Sequence, residues 1–290
     1  LDSKSNADEI KDIYSELAQR RDFYGFLSAD ILGQKYELVD RPVTPPAELM
    51  SSVKQSPGML RTREFLALNR VNSARREWRY AIRDFNVEEK KTAGIVAQQW
   101  GWHRKGIEAM SSARYWDDLQ VRFPLAFNTQ VQAIAEFTKM EPQLLFAVAR
   151  QESAFSPDAR SRVGATGLMQ LMPGTAKDTA KKIGIKYKKS DLLRPEINVK
   201  LGGSYLKQMM GRFSENRILT AAAYNAGPHR VSKWLSDEDQ LLPYDVWIEL
   251  IPFKETRRYV QNILTYSVIY GYRMGDEVPL IRQNEAGQLL

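Results

Sequence analysis

The chain of 290 residues contains no cysteine. That excludes a disulfide scaffold and a thiolate metal site, and it leaves reducing and oxidising compartments equally open. Histidine is scarce as well: His103 and His229 each lack a partner at ligand spacing, so neither suggests a metal, and no cofactor is called for. No aspartate-rich EF-hand loop occurs, so no structural calcium is expected. No run of about 18 apolar residues exists, so no transmembrane segment is expected. The polar start Leu1-Asp2-Ser3-Lys4-Ser5 is not a signal peptide. A chain that begins mid-composition at Leu1 reads as a fragment or processed form, with a further N-terminal portion expected before it.

Hydrophobic residues make up 43% of the chain, enough for a good core, and the length suggests about two domains. The formal net charge of +7 ordinarily means a well-solvated surface, and it also admits a polyanionic partner. The lysines and arginines are scattered, with no zinc-finger spacing, RNP-type aromatic motif or basic-region heptads, so nucleic acid is not expected as that partner.

Three stretches follow from the patterning. Over residues 1–45, Ile10, Ile13, Tyr14 and Leu17 recur at helical steps and a second apolar cluster follows at 23–32, which implies at least two helices. Arg41-Pro42-Val43-Thr44-Pro45-Pro46 cannot be helical throughout and marks a boundary. Residues 46–118 hold short amphipathic segments, among them 59–68 and 73–82, broken near Ser56-Pro57-Gly58 and Gly101. Helical hairpins fit that pattern, and Trp78, Tyr80, Trp100, Trp102 and Trp116 have spacings that suit helix packing, hence core. A further boundary lies between 115 and 124, and residues 119–290 are denser in motifs.

There, Pro142 suits a first helical turn, and Leu145, Val148 and Ala149 mark one helix face. Glu152 falls on the same face. A carboxyl group on an apolar stripe loses hydration, which raises its pKa toward what a general acid needs at neutral pH. The plain alternative is a helix-end glutamate paired with Arg150 or Arg160. Val163-Gly164-Ala165-Thr166-Gly167-Leu168-Met169-Gln170-Leu171-Met172-Pro173-Gly174-Thr175 is rich in glycine and small residues, so its backbone can approach a ligand closely; it lacks the Gly-Lys-Ser/Thr ending of a phosphate loop. Pro173 suits the start of a helix that Gly184 would end. Ala221-Ala222-Ala223-Tyr224-Asn225-Ala226-Gly227-Pro228 reads as a small-residue helix stopped by Gly-Pro, where Tyr224 and Asn225 are either site residues or a core tyrosine and a capping asparagine. From residue 251 another helix opens, with Val260, Ile263, Ser267 and Tyr270 on its buried face.

In this order, Glu152-Ser153, Gly167-Leu168-Met169-Gln170, Ala223-Tyr224-Asn225-Ala226-Gly227 and Glu255-Thr256-Arg257-Arg258-Tyr259-Val260 resemble the soluble lytic transglycosylases of the goose-type-lysozyme superfamily. The match is strong over residues 116–274. More weakly, Arg21-Asp22-Phe23-Tyr24-Gly25-Phe26-Leu27 and the hairpins look like the end of that family's helical superstructure (1–45) and its linker domain (46–118), ahead of a lysozyme-like catalytic domain (119–290). The resemblance implies a mainly α fold and cleavage of the MurNAc–GlcNAc bond of peptidoglycan with formation of 1,6-anhydroMurNAc ends. It makes Glu152 the acid and then the base. Ser153, Ser161, Gln170, Met172, Tyr224, Asn225, Glu255 and Tyr259 become candidates for the sugar-binding groove. Glycan strands and muropeptides are the implied partners, and a periplasmic location is inferred from that substrate alone. For Glu255, fixing a neighbouring Tyr or Arg is the favoured role over proton transfer. Two alternatives remain: a goose-type lysozyme that releases a reducing sugar by attack of water, and a non-catalytic murein-binding helical scaffold.

Overall fold

A computed structural model describes residues 3–237 and 241–286, with side chains from Asp8 onward. Among these residues the chain is helical with no extended strand, and its only β-type pairing is two isolated antiparallel bridges, Arg160 with Thr166 and Thr166 with Leu171. It divides into two compact units. One comprises the described parts of Leu1–Leu38, Phe127–Ser153 and Pro157–Leu290; the other comprises Val39–Ala126 with Ala154–Ser156.

The second unit is built of the short helices expected from its breaks. Pro57 occupies the first turn of Pro57–Ala67, which directly follows Ala47–Gln55. Asn86 and Glu89 form a reciprocal cap that starts Val87–Gln99. The core gathers Val53, Met59, Trp78, Ala93, Val96 and Ala109, and Trp78 meets Trp100 and Trp102 edge-on at 6.3 and 5.6 Å between ring centroids. Not every aromatic residue is core, however. Tyr80 and Trp116 are exposed, and each takes an arginine over its ring, Arg83 at 5.1 Å and Arg122 at 4.7 Å. The proline stretch 41–46 is non-helical and is pinned by side-chain caps: Val43 N donates to Asp118 Oδ2 at 2.9 Å and Leu119 N to Asp40 Oδ1 at 3.0 Å.

The first unit centres on Pro142–Ser153, packed along the 21-residue helix Lys254–Met274. Pro142 does open its helix, and Leu145, Val148 and Ala149 are fully buried, as are Val260, Ile263, Ser267 and Tyr270 on the long helix, with Phe146 stacked on Tyr270 at 5.2 Å. Around them stand Asn128–Thr138, Pro173–Lys182, Pro195–Arg212, Arg217–Ala226 and Pro228–Ser236. Gly203 lets Pro195–Arg212 approach closely, because a Cβ there would lie 2.6 Å from Ile134 Cγ1. Pro173 starts its helix, which ends at Lys182 just before the left-handed Gly184 (φ +69°). A wholly buried ion pair, Arg217 Nη2 to Glu285 Oε2 at 2.7 Å, ties the last short helix to this body; the same guanidinium donates to the Leu280 carbonyl. No described helix is long and apolar enough to cross a membrane.

Candidate active site

Glu152 sits in the last turn of Pro142–Ser153, at the end of the apolar stripe that periodicity identified. The carbonyl end of a helix carries partial negative charge and so opposes ionisation there. Its Oε1 accepts a 2.7 Å hydrogen bond from the hydroxyl of Tyr259, itself buried on the long helix. Burial pushes the Glu152 carboxyl up to about 7; the Tyr259 hydrogen bond works against that rise, and the nearby charge of Glu255 adds to it. The charged neighbour of Glu152 is therefore another acid. The alternative in which Arg150 or Arg160 neutralises it does not hold: the Arg150 guanidinium lies over the Tyr266 ring at 5.4 Å, and Arg160 is exposed.

The glycine-rich stretch forms a tight turn rather than an open loop. Thr166 N donates to the Leu171 carbonyl at 3.0 Å and Leu171 N returns a bond to Thr166 at 3.2 Å, with Gly167 (φ +85°) and Gln170 (φ +44°) both left-handed between them. Only glycine fits at 167, since an added Cβ would meet Asn198 Nδ2 and the Leu192 carbonyl, each at 2.2 Å. Gln170 folds its amide back onto this turn, Nε2 donating to Gly167 O at 2.8 Å and Ala159 O at 3.2 Å. Met172, half-exposed, precedes the following helix as its N-cap residue.

Tyr224 and Asn225 end the small-residue helix as expected, and both make specific bonds. The Tyr224 hydroxyl donates to the Met169 carbonyl at 2.8 Å and its ring tilts against Tyr205 at 5.3 Å. Asn225 is not a helix cap: its Oδ1 accepts from Thr256 Oγ1 at 2.7 Å, joining this helix to the first turn of Lys254–Met274. Burial and the charge of Glu152 raise the Tyr224 and Tyr259 phenols well above their usual range, so both stay protonated at any working pH. Glu255 is exposed in that same first turn.

Thus Glu152, Tyr224, Asn225, Glu255, Tyr259 and the 167–170 turn converge. The hydroxyls of Ser153 and Ser161 make local bonds. The Ser153 hydroxyl, buried, bonds back to Ala149 O at 3.3 Å, and Ser161 Oγ accepts from Ala165 N at 2.9 Å, holding the loop. His103 Nδ1 donates to Gln98 Oε1 at 2.8 Å, burial lowers the pKa of its imidazole, and His229 is exposed. No group of three or more metal-ligating side chains is present among the described residues. Sequence reading overlooked Thr256 and Asn198. The latter lies at no exposure at all on the apolar face of Pro195–Arg212, and a polar residue on such a face is the signal that finds it, since buried amides require partners.

Three family descriptions match the chain: "Transglycosylase SLT domain" over residues 130–245, "Soluble lytic murein transglycosylase L domain" over 52–119, and "Soluble lytic transglycosylase helical domain" over 250–278. The soluble lytic murein transglycosylase of Escherichia coli K12 is 39% identical over 283 residues, covering 97% of this chain and 43% of its own length. A putative counterpart from Haemophilus influenzae is 35% identical, covering 93% and 45%. Among solved structures, lytic transglycosylase Slt of Pseudomonas aeruginosa, determined as an inactive mutant, superposes with a TM-score of 0.91 at 44% identity, covering 98% of this chain and 46% of that one. The E. coli enzyme Slt70, also solved in complex with bulgecin A, gives 0.92 at 37%, covering 99% and 46%. The chain spans a little under half the length of these relatives. The architecture is mainly α, with helical hairpins and a lysozyme-like helical domain.

Proposed function

This chain belongs to the soluble lytic murein transglycosylase family, and on that premise we propose that it cleaves the MurNAc–GlcNAc bond of peptidoglycan without consuming water, leaving 1,6-anhydroMurNAc ends. The supporting observation is the state of Glu152: desolvated at a helix end, with a pKa near 7 and a single phenol donor on Oε1. A group so poised holds its proton for donation and regains it afterwards.

In this reaction the Glu152 proton passes to the oxygen bridging MurNAc C1 and GlcNAc, and the bond from that oxygen to C1 breaks. The 2-acetamido oxygen of the substrate stabilises the cationic carbon. The carboxylate, still bonded to Tyr259, then removes the proton of the MurNAc 6-hydroxyl as O6 closes on C1. One proton leaves the carboxyl and one returns, so one acid suffices where hydrolytic glycosidases use two. A hydroxyl of the same sugar competes well with water through its high effective molarity.

Gln170, Met172, Tyr224, Asn225 and Glu255 line the groove in this proposal, Ser161 stands near the reacting sugar, and Tyr259 supports the acid. Residues 119–290 form the catalytic domain, 46–118 the linker and 1–45 the end of a helical superstructure, and the substrate argues for the periplasm. The test is digestion of purified sacculi in oxygen-18 water with mass spectrometry of the muropeptides. Unlabelled anhydro ends are expected, and Glu152→Gln should lower their release by about a hundredfold or more. Labelled reducing-end MurNAc would instead establish the hydrolase.

A further inference from the structure

Tyr224 touches the acid's surroundings, but what orients Tyr224 lies one layer deeper. Asn198 is completely buried and spends its whole amide on the 167–170 turn and its neighbour. Its Oδ1 accepts from Met169 N at 2.8 Å, while Nδ2 donates to the carbonyls of Thr166 and Leu192, each at 2.9 Å. The amide has only one workable orientation, because the backbone N–H must donate and the two carbonyls must accept. Met169 is held at its nitrogen by Asn198, and its carbonyl takes the Tyr224 proton at 2.8 Å. Gln170, whose nitrogen shares that peptide group, is strained into a left-handed conformation, so the turn needs an external clamp to keep its carbonyl in place.

We propose that Asn198 is a positioning residue for the reaction: by clamping Met169 it fixes the carbonyl that occupies the Tyr224 proton, so that the phenol oxygen serves the groove only as a hydrogen-bond acceptor. A hydroxyl has one proton, and once that proton is committed its lone pairs remain for a donor. The donors on offer are the protonated Glu152 carboxyl and a sugar hydroxyl. An acceptor beside the acid favours the protonated carboxyl that must start the reaction, complementing Tyr259, which donates and so supports the carboxylate that follows. The inference rests on the proposed glycosidic chemistry, though it concerns the acid step that a hydrolase would share.

A double-mutant cycle tests it, with Asn198→Ala, Tyr224→Phe and their combination assayed for bond cleavage in isolated glycan strands. Residues acting through one network are non-additive. Each single variant should lower kcat by about tenfold with KM changed less than about twofold, and the double variant should be no slower than the worse single one. In addition, the basic limb of the kcat profile should move to lower pH in all three, as the acceptor that favours the protonated acid is lost or misplaced. Multiplying losses, or an unmoved pH profile alongside a lowered melting temperature, would overturn the proposal and leave Asn198 a packing residue. Should Asn198→Ala fail to fold, Asn198→Ser takes its place in the cycle, and an unmoved basic limb in Tyr224→Phe alone is sufficient to reject it. Because cleavage is scored whatever the product, labelled reducing ends would refute the transglycosylase reading without touching this one.

Discussion

The two compact units spend their polar groups differently. In the unit around Val39–Ala126 the strong charge pairs lie at the surface, such as Arg61 with Glu77 at 2.8 Å and Arg104 with Glu108 at 2.8 Å, around a core of tryptophan, methionine and small residues. Its buried Asp118 caps the following helix at Val121 N and also accepts from Val43 N, 75 positions away. The other unit buries its polar groups across long stretches of sequence: Arg217 with Glu285, Asn198 with the 167–170 turn, Tyr259 with Glu152. Buried polar networks are costly unless every partner is present, and they hold a single geometry when complete. The candidate active site stands in the unit that bears that cost.

The largest effect that sharpens this contrast is expected at Glu152, in opposite directions for activity and stability. Glu152→Gln should remove the proposed proton transfer, yet it should stabilise the fold at alkaline pH. Below the ordinary glutamate value both folded and unfolded chains are protonated and no penalty exists. As pH rises toward about 7 the unfolded chain loses its proton first, so stability falls through that window and stays lower above it. Melting temperatures of wild type and Glu152→Gln should therefore agree near pH 4 and diverge by pH 8, with the variant higher.

Next is Arg217→Met, which leaves the buried Glu285 carboxylate without its counter-charge and held only by the backbone amides of residues 217 and 282; a loss of about 3–5 kcal/mol is expected in urea titration, with much of it recovered by adding Glu285→Leu. A smaller effect belongs to Tyr259→Phe. Removing the donor that holds down the Glu152 pKa should raise it further, moving the basic limb of the activity profile to higher pH and lowering turnover by about tenfold, read by steady-state assay across pH. The smallest is Glu77→Ala in the surface-paired unit, where less than about 1 kcal/mol should be lost and salt should erase the difference, the pair being exposed. If Glu77→Ala cost as much as Arg217→Met, the contrast between the units would be wrong.

Much of this was readable along the chain because local rules act within a few residues. Proline opened helices at 57, 142 and 173, Gly-Pro separated two helices at 227–228, and the 3.6-residue stripe leading to Glu152 became the buried face of Pro142–Ser153. The ordered motifs brought the acid, the turn and both tyrosines into view together. Spacing was less informative where exposure decides: Tyr80, two positions after Trp78 on Val71–Arg83, turns to a different face and to solvent, and Trp116 lies outside any helix and is exposed too.

What the residues determined by themselves was the helical architecture, its breakpoints and the apolar stripe on which Glu152 falls, all consequences of short-range backbone sterics and of hydrophobic spacing. Only the tertiary structure decided the partners. Tyr259 reaches Glu152 across 107 positions, Tyr224 reaches Met169 across 55, Asn225 meets Thr256 across 31 and Asn198 meets Met169 across 29. A hydrogen bond needs two groups within about 3 Å in a fixed orientation, and at such separations along a chain that condition is met by the packing of helices against one another.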